Sequence, residues 1–117
     1  MIIRILLILS IWSISCVVSA AYICQGKVSG VSLGPKNGQL LAERIGPLSW
    51  PVLCSVSVDQ NGVDTETCKV IFSTLIAAQM SQKDVTLWFN DGKDCSTDSH
   101  TPWGWLTGWY FGPKLVD

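Results

Sequence analysis

The sequence predicts a mainly β domain with one helix. Short runs with strand character fill the first half of the chain, one amphipathic helical stretch follows, and further strand-forming runs come after it. In a domain of about 100 residues, this order is typical of a small, partly open barrel of about five to six strands with a helix at one end. We therefore predict an OB-fold.

The first 20 residues have the composition of a secretory leader. Arg4 gives a basic start, an uncharged apolar run covers residues 5–18, and small residues before Ala21 suit cleavage after Ala20. The apolar run falls short of the roughly 20 residues that span a bilayer, which favours a cleaved leader over a membrane anchor. We expect a mature domain of residues 21–117, secreted or periplasmic and without a stable membrane anchor.

Cysteines are the next signal in the mature chain. It carries Cys24, Cys54, Cys68 and Cys95. An even number of cysteines in a small exported domain indicates two disulfides, each of which stabilises by about 2–4 kcal/mol. Wide cysteine spacings and a single histidine, His100, do not suit a zinc site. We expect neither a metal nor another cofactor.

Charge and aromatic content limit the classes of partner. The chain has 8 Lys and Arg residues, one of them Arg4 in the leader, against 9 Asp and Glu residues. A slightly acidic mature domain has no basic excess with which to attract nucleic acid or anionic lipid. Tryptophan is abundant, with 6 in the chain and only Trp12 in the leader. This content favours a compact domain with an aromatic contact surface.

Turn-forming clusters separate the predicted strands of the first half. Turns are predicted at 34–38, at 46–47 and at 59–62, and the runs of residues 22–58 that the first two turns separate are predicted to be strands. The run 52–58 alternates in character, which predicts a half-buried strand. One face would carry Val52, Cys54, Val56 and Val58, and the other Leu53, Ser55 and Ser57.

The helix is predicted from about Thr65 to Gln82. Asp64 or Thr65 suits the N-cap, and Glu66 suits the first turn. Apolar and partly polar positions recur at three- and four-residue steps, namely Cys68, Ile71, Phe72, Leu75, Ala78 and Gln79. The run 85–89 then predicts a strand of the sheet that this stripe covers.

An aromatic segment follows a polar loop at the end of the chain. The loop is predicted over 90–101, and the segment 103–111, if extended, places alternate aromatic residues on one face. We expect Trp105 and Trp109 in the interior or at a subunit interface, because tryptophan is usually well buried. Trp103, which follows Pro102, is the better candidate for an exposed contact.

We find no pattern that indicates an enzyme. No serine lies in a nucleophile elbow, and His100 near Asp98 is interpreted as a solvated loop histidine rather than a catalytic base. The run 90–94 lacks the spacing of a calcium loop and is interpreted as a turn. A hydrolase that uses His100 is the less favoured alternative.

Five short segments of the mature chain together match one family of exported proteins. They are Val-Ser-Gly-Val at 28–31, Pro-Val-Leu-Cys at 51–54, Cys68 with Phe-Ser-Thr-Leu at 72–75, Val-Thr-Leu-Trp-Phe at 85–89 and Phe-Gly-Pro at 111–113. In this order they resemble the B subunits of bacterial AB-type toxins of the subtilase cytotoxin group, and the chain is also similar to the B subunit of typhoid-type toxins. The likeness covers most of residues 21–117.

The resemblance implies a function as well as a fold. Members are exported OB-fold domains that assemble as homopentameric rings, bind sialylated or related glycans of host cells, and carry a separate catalytic A subunit. For the cysteines, the resemblance implies a Cys54–Cys68 disulfide, which leaves Cys24 for Cys95.

The resemblance also implies a glycan site around Ser29. In the family, the serine at this position contacts the carboxylate end of sialic acid, and Gly30 would let the sugar ring approach the backbone. Gln25 stands where the family has an aspartate, and Trp88 and Phe89 stand where it has an aromatic pair, so the sugar preference stays open. The alternative is an ordinary outward-facing serine beside a bulge glycine.

The sequence therefore predicts a secreted, non-catalytic module that binds a cell-surface carbohydrate as a pentameric ring. A stand-alone secreted or envelope protein that binds another protein, as an inhibitor or structural component, is the alternative. Trp103 and its neighbours would then form the contact surface.

Overall fold

The computed structural model describes residues 21–117, so the predicted leader and its cleavage position at Ala20 lie outside the described residues. This part of the chain forms eight strands and one helix. In chain order they are β1 (Tyr22–Ser29), β2 (Ser32–Leu33), β3 (Gln39–Leu41), β4 (Arg44–Ile45), β5 (Leu48–Ser49), β6 (Val52–Ser55), α1 (Thr65–Ser81), β7 (Asp84–Phe89) and β8 (Trp109–Leu115).

The strands belong to two antiparallel sheets. One has five strands in the order β5-β4-β1-β7-β8, and the other has three in the order β2-β3-β6. The predicted mainly β fold with one helix is thus confirmed. The sheets do not close into one barrel, and strands are more numerous than the predicted five or six because the turn-rich region 30–50 folds into pieces of two or three residues. The OB-fold stays a prediction.

Two disulfides join distant parts of this fold. Cys54 of β6 is bonded to Cys68 of α1, and Cys24 of β1 is bonded to Cys95 of the loop after β7. Both predicted pairs are confirmed. Such bonds persist in oxidising compartments, so they are consistent with an extracellular or periplasmic location. Within residues 21–117, the one helix, α1, does not have the length and hydropathy needed to cross a bilayer.

The helix follows the prediction closely. Asp64 is its N-cap, and the Asp64 carboxylate accepts a hydrogen bond of 2.6 Å from the Thr67 backbone N–H. At the other end, Gln82 adopts a left-handed conformation with φ 59°. The buried face consists of Cys68, Ile71, Leu75 and Ala78, which join the core. The predicted apolar stripe is therefore the side that packs on the sheets.

The prediction of a half-buried strand over 52–58 is wrong in two respects. All four residues of β6 are buried, because the strand lies between β3 and α1. The strand also ends at Ser55 rather than continuing to Val58. The Ser55 hydroxyl accepts hydrogen bonds from the backbone N–H groups of Ser57 and Val58, at 3.1 and 3.2 Å, so these donors leave the strand ladder.

The segment 103–111, which would carry alternate aromatic residues on one face if it were extended, is not one strand, because only its last residues belong to β8. Trp103 has a left-handed backbone, φ 67°, and its N–H donates to the Trp50 carbonyl at 2.9 Å. Further along, the Leu106 N–H donates to the Val52 carbonyl at 2.9 Å. These bonds fold residues 103–106 against the start of β6, and the aromatic side chains separate as a result.

Candidate functional site

A tight turn between β6 and α1 forms one side of the candidate site. Asn61 and Gly62 both have positive φ, 56° and 72°, as the Asn-Gly pair of a type I′ turn requires. Backbone bonds in both directions between Gln60 and Val63 close the turn, at 3.2 and 3.0 Å. Asp59 fixes the turn to the helix, because its carboxylate accepts from the Thr65 N–H at 3.1 Å.

Asn61 anchors this turn to two other segments. Its side-chain amide donates to the Leu53 carbonyl of β6 at 2.9 Å and to the Leu106 carbonyl at 3.1 Å. The two amide hydrogens are thereby used inside the protein. Asn61 is an exposed residue, so its side-chain oxygen is left to accept a hydrogen bond from a ligand.

Three adjoining cavities that share Asn61 form what we call the Asn61 groove. Their volumes are about 360, 330 and 400 Å³, near the lower end of the range for small-ligand sites. The turn and the first helical turn form one wall, while β8 and the segment before it form the other. Together they are lined by Asp59, Gln60, Asn61, Gly62, Val63, Asp64, Thr67, Ile71, Trp105, Thr107, Trp109, Tyr110 and Gly112.

The two walls differ in chemistry. Trp105, Trp109 and Tyr110 supply aromatic rings, and Tyr110 is 54% exposed. The opposite wall supplies oxygen atoms, including the Asp64 carboxylate. Hydrogen bonds from the Thr67 backbone lower the pKa of Asp64, so this carboxylate is ionised at neutral pH. A ligand with one apolar face and an edge of hydroxyl groups would match both walls.

The residues predicted from the family resemblance do not converge on one sugar-sized site. β1 carries Gln25 and, at its exposed end, Ser29. Trp88 lies on β7, opposite Ile23 of β1. Ile23 and Ser29 are six positions apart in sequence, which along a strand is roughly 20 Å. Ser29 and Trp88 therefore lie near opposite ends of β1. Gln25 accepts a hydrogen bond of 3.0 Å from the Thr86 hydroxyl.

Gly30 and Phe89 both pack against neighbouring residues of the protein. Gly30 has φ 61°, and a side-chain carbon on it would lie 2.5 Å from the Glu43 Cβ, so this face of the glycine is already covered. The Phe89 ring is fully buried and stacks on Tyr22 with ring centres 5.1 Å apart. It offers no surface to a ligand in this structure.

Trp103 is 63% exposed and belongs to an aromatic pair. Its ring stacks on that of Trp50 with centroids 4.3 Å apart, and both residues have positive φ. Trp105, by contrast, is 38% exposed, so it does not lie in the interior of this chain, and its place at a subunit interface stays a prediction. Trp109 is half-buried against the core, where it pairs with Phe89 across the strands.

His100 is buried, which contradicts the expectation of a solvated loop histidine. Its Nε2 lies 2.8 Å from the Tyr22 hydroxyl, which also donates to the Asp91 carboxylate at 2.6 Å. Since that hydroxyl hydrogen goes to Asp91, a neutral His100 carries its proton on Nε2. Within residues 21–117, neither His100 Nδ1 nor the second Asp91 oxygen has a hydrogen-bond partner. The cluster ties the 90–101 loop to β1.

Burial and hydrogen bonding shift the pKa values in this cluster. Burial lowers the pKa of His100, although the Asp91 charge opposes the effect, and burial together with the Asp91 hydrogen bond raises the pKa of Tyr22. For Asp91, burial favours the neutral form, but hydrogen bonds from Tyr22 and the Lys93 N–H outweigh it and lower the pKa. Nearby, hydrogen bonds from Ser96 and Ser99 lower the pKa of Asp94 to about 2.

The lowered pKa of His100 predicts a loss of stability in mild acid. Below pH 6.5 the unfolded chain binds the proton more readily than the folded one, so the free energy of unfolding falls as the pH drops from about 6.5 towards the folded pKa. His100 is the chain's only histidine, so few other groups titrate there. Urea unfolding at pH 7.5, 6.5 and 5.5 measures the slope. His100→Gln should flatten it, and an unchanged slope in this variant would contradict the assignment.

The sequence predicts residues 59–62 only as a turn and does not predict the groove. Its signal was the Asn-Gly pair, but the opposite wall comes from residues more than 40 positions further along. In residues 21–117, no set of three or more His, Cys, Asp or Glu side chains is placed to hold a metal ion. Comparison with family models, curated proteins and solved structures finds no match to this chain.

Proposed function

We propose that this chain is an exported, non-catalytic recognition domain that binds a carbohydrate in the Asn61 groove. The observation that carries the proposal is the pairing of aromatic rings with side-chain oxygens across one cleft. Sugars bind proteins through this combination, because the C–H face of a pyranose packs on an aromatic ring while its hydroxyls need hydrogen-bond partners.

Export is supported by the two disulfides and by the composition of residues 1–20. A cell-surface glycan would be the ligand for a protein outside the cell. The resemblance to toxin B subunits adds the proposal of a homopentamer that carries a catalytic A subunit.

Features of the five-stranded sheet support assembly into a ring. β8 is an edge strand, and edge strands present unpaired backbone groups that a second copy can use. On the outward face, Ile23 and Phe111 are 51% and 60% exposed and flank Trp88. Sedimentation of the mature protein tests this assembly. A species of five times the monomer mass would support it, and a strictly monomeric protein would exclude it.

Tyr110→Ala tests the proposed sugar site. We expect this variant to weaken binding to the best ligand of a glycan array by about tenfold or more, because it removes an exposed ring from the groove. Met80→Ala is the control, since it removes a large apolar side chain that is 79% exposed and does not line the groove.

Ser29→Ala separates the groove from the site implied by the family resemblance. If Ser29→Ala removes binding while Tyr110→Ala leaves it intact, the glycan site lies on β1 and not in the groove. Loss of binding in both Tyr110→Ala and Met80→Ala to the same degree would also count against the groove.

Protein binding is the second candidate function, and the Trp50–Trp103 pair favours it. Left-handed backbones are costly for bulky residues, and such strain is often kept at functional sites. Stacked, partly exposed indoles are frequent anchors in protein interfaces. If Trp103→Ala removes binding to target cells and Tyr110→Ala does not, this candidate replaces the first.

A further inference from the structure

We infer that the Asn61 groove selects a sugar that carries hydroxyl groups and no carboxylate, so that its ligand is a neutral hexose rather than a sialic acid. This inference rests on the proposed function and adds the chemical class of the ligand. It follows from three properties of the groove: its hydrogen-bonding atoms, the state of the helix N-terminus and its charge.

Asn61 and Asp64 offer the groove hydrogen-bond acceptors only, whereas the hydroxyls of Thr67, Thr107 and Tyr110 can accept or donate. Asn61 offers its side-chain oxygen alone, because its amide hydrogens bind Leu53 and Leu106. An ionised Asp64 carboxylate can only accept. A ligand for these atoms must donate, which sugar hydroxyls do and a carboxylate cannot.

The helix N-terminus next to the groove is not available to an anion. Helix N-termini bind anions through free backbone N–H groups. Here Asp59 accepts from the Thr65 N–H at 3.1 Å, and Asp64 accepts from the Thr67 N–H at 2.6 Å. The protein's own carboxylates thus occupy the place that the carboxylate of a sialic acid would need.

The charge of the groove also disfavours a sugar that carries a carboxylate. Asp59 and Asp64 both line the groove, and within residues 21–117 no lysine, arginine or histidine is among its lining residues. A bound carboxylate would be repelled by two like charges without a cation to pair with it. The uncharged faces of Trp109 and Tyr110 remain suitable for the C–H face of any pyranose.

Asp64→Asn tests the inference, because asparagine is as good an N-cap as aspartate while the charge is removed. The wild-type protein and the variant are compared on oligosaccharides that end in galactose, glucose or mannose, and on the same chains capped with sialic acid. We expect wild-type protein to bind a neutral form at least about tenfold more tightly than its sialylated counterpart, a ratio equivalent to 1.4 kcal/mol.

The variant should reduce that ratio about threefold, the size of one exposed charge interaction, and the reduction should shrink at high salt. Asp98→Asn is the matched control, since this exposed loop residue loses the same charge outside the groove. An unchanged melting temperature for Asp64→Asn confirms that the cap is kept.

Two results would overturn the inference. One is that the wild-type protein binds the sialylated oligosaccharides as tightly as the neutral ones or more tightly, and that Tyr110→Ala abolishes this binding. The other is an equal effect of Asp64→Asn and Asp98→Asn on the ratio. Failure of all the sugars to bind would contradict the proposed function itself, and binding that only Ser29→Ala removes would leave a glycan-binding function but exclude this groove.

Discussion

Replacing Phe89 with alanine is expected to lower the free energy of unfolding by about 3–5 kcal/mol, the usual cost of removing a buried aromatic ring. Phe89 is fully buried in β7. Its ring contacts both Tyr22 and His100, with ring centres 5.1 and 4.8 Å away. The loss combines apolar surface removed from the core with a cavity that its neighbours fill only in part.

Phe111→Ala is the control for this experiment, because it deletes the same side chain from a position that is 60% exposed. It should cost less than about 1 kcal/mol, as surface substitutions usually do. Urea unfolding monitored by tryptophan fluorescence compares the two variants, and Phe89→Leu provides an intermediate case that keeps the fold measurable. Equal losses for Phe89→Ala and Phe111→Ala would contradict the position of Phe89 in the core.

Removing either disulfide should have an effect of similar size, and the larger loss is expected for Cys24–Cys95. This bond closes 71 residues, whereas Cys54–Cys68 closes 14. Cross-links restrict the unfolded chain more strongly when the loop is longer, which predicts losses of about 4 and about 3 kcal/mol. The Cys24→Ala/Cys95→Ala and Cys54→Ala/Cys68→Ala double variants isolate the two bonds.

Chemical denaturation of the two double variants measures the order as well as the size of these losses. The wild-type protein with and without a thiol reductant shows the combined effect. A smaller loss for the 24–95 pair than for the 54–68 pair would mean that contacts around the cysteines, rather than the unfolded chain, determine the stabilisation.

Local signals explain the elements that could be predicted from the sequence. The helix has its cap at Asp64 and its period-3.6 stripe within one stretch of chain, and β7 follows it directly. The disulfide pairs were accessible only through the family resemblance, since four cysteines permit three pairings. The predictions of the helix and of β7 needed no distant residue, whereas the Cys24–Cys95 pair joins residues 71 positions apart.

Long-range hydrogen bonds explain the errors and the missed groove. The aromatic segment does not extend as one strand because its backbone binds residues about 50 positions earlier, as in the bond from Trp103 to Trp50. His100 is buried because β1, far away in sequence, offers it the Tyr22 hydroxyl. The groove depends on the same kind of contact, since Asn61 meets Tyr110 only after the sheets have formed.

Asn61 joins the 59–62 turn, β6 and the segment at Leu106 through one side-chain amide. Because these three pieces of chain meet only in the native state, a ligand held beside Asn61 has nothing to bind in the unfolded chain. A free ligand concentration of about 100 times the dissociation constant would then add about 2.7 kcal/mol to the free energy of unfolding by mass action. Thermal melting in the presence of candidate sugars is therefore a label-free screen for whatever fills this cleft.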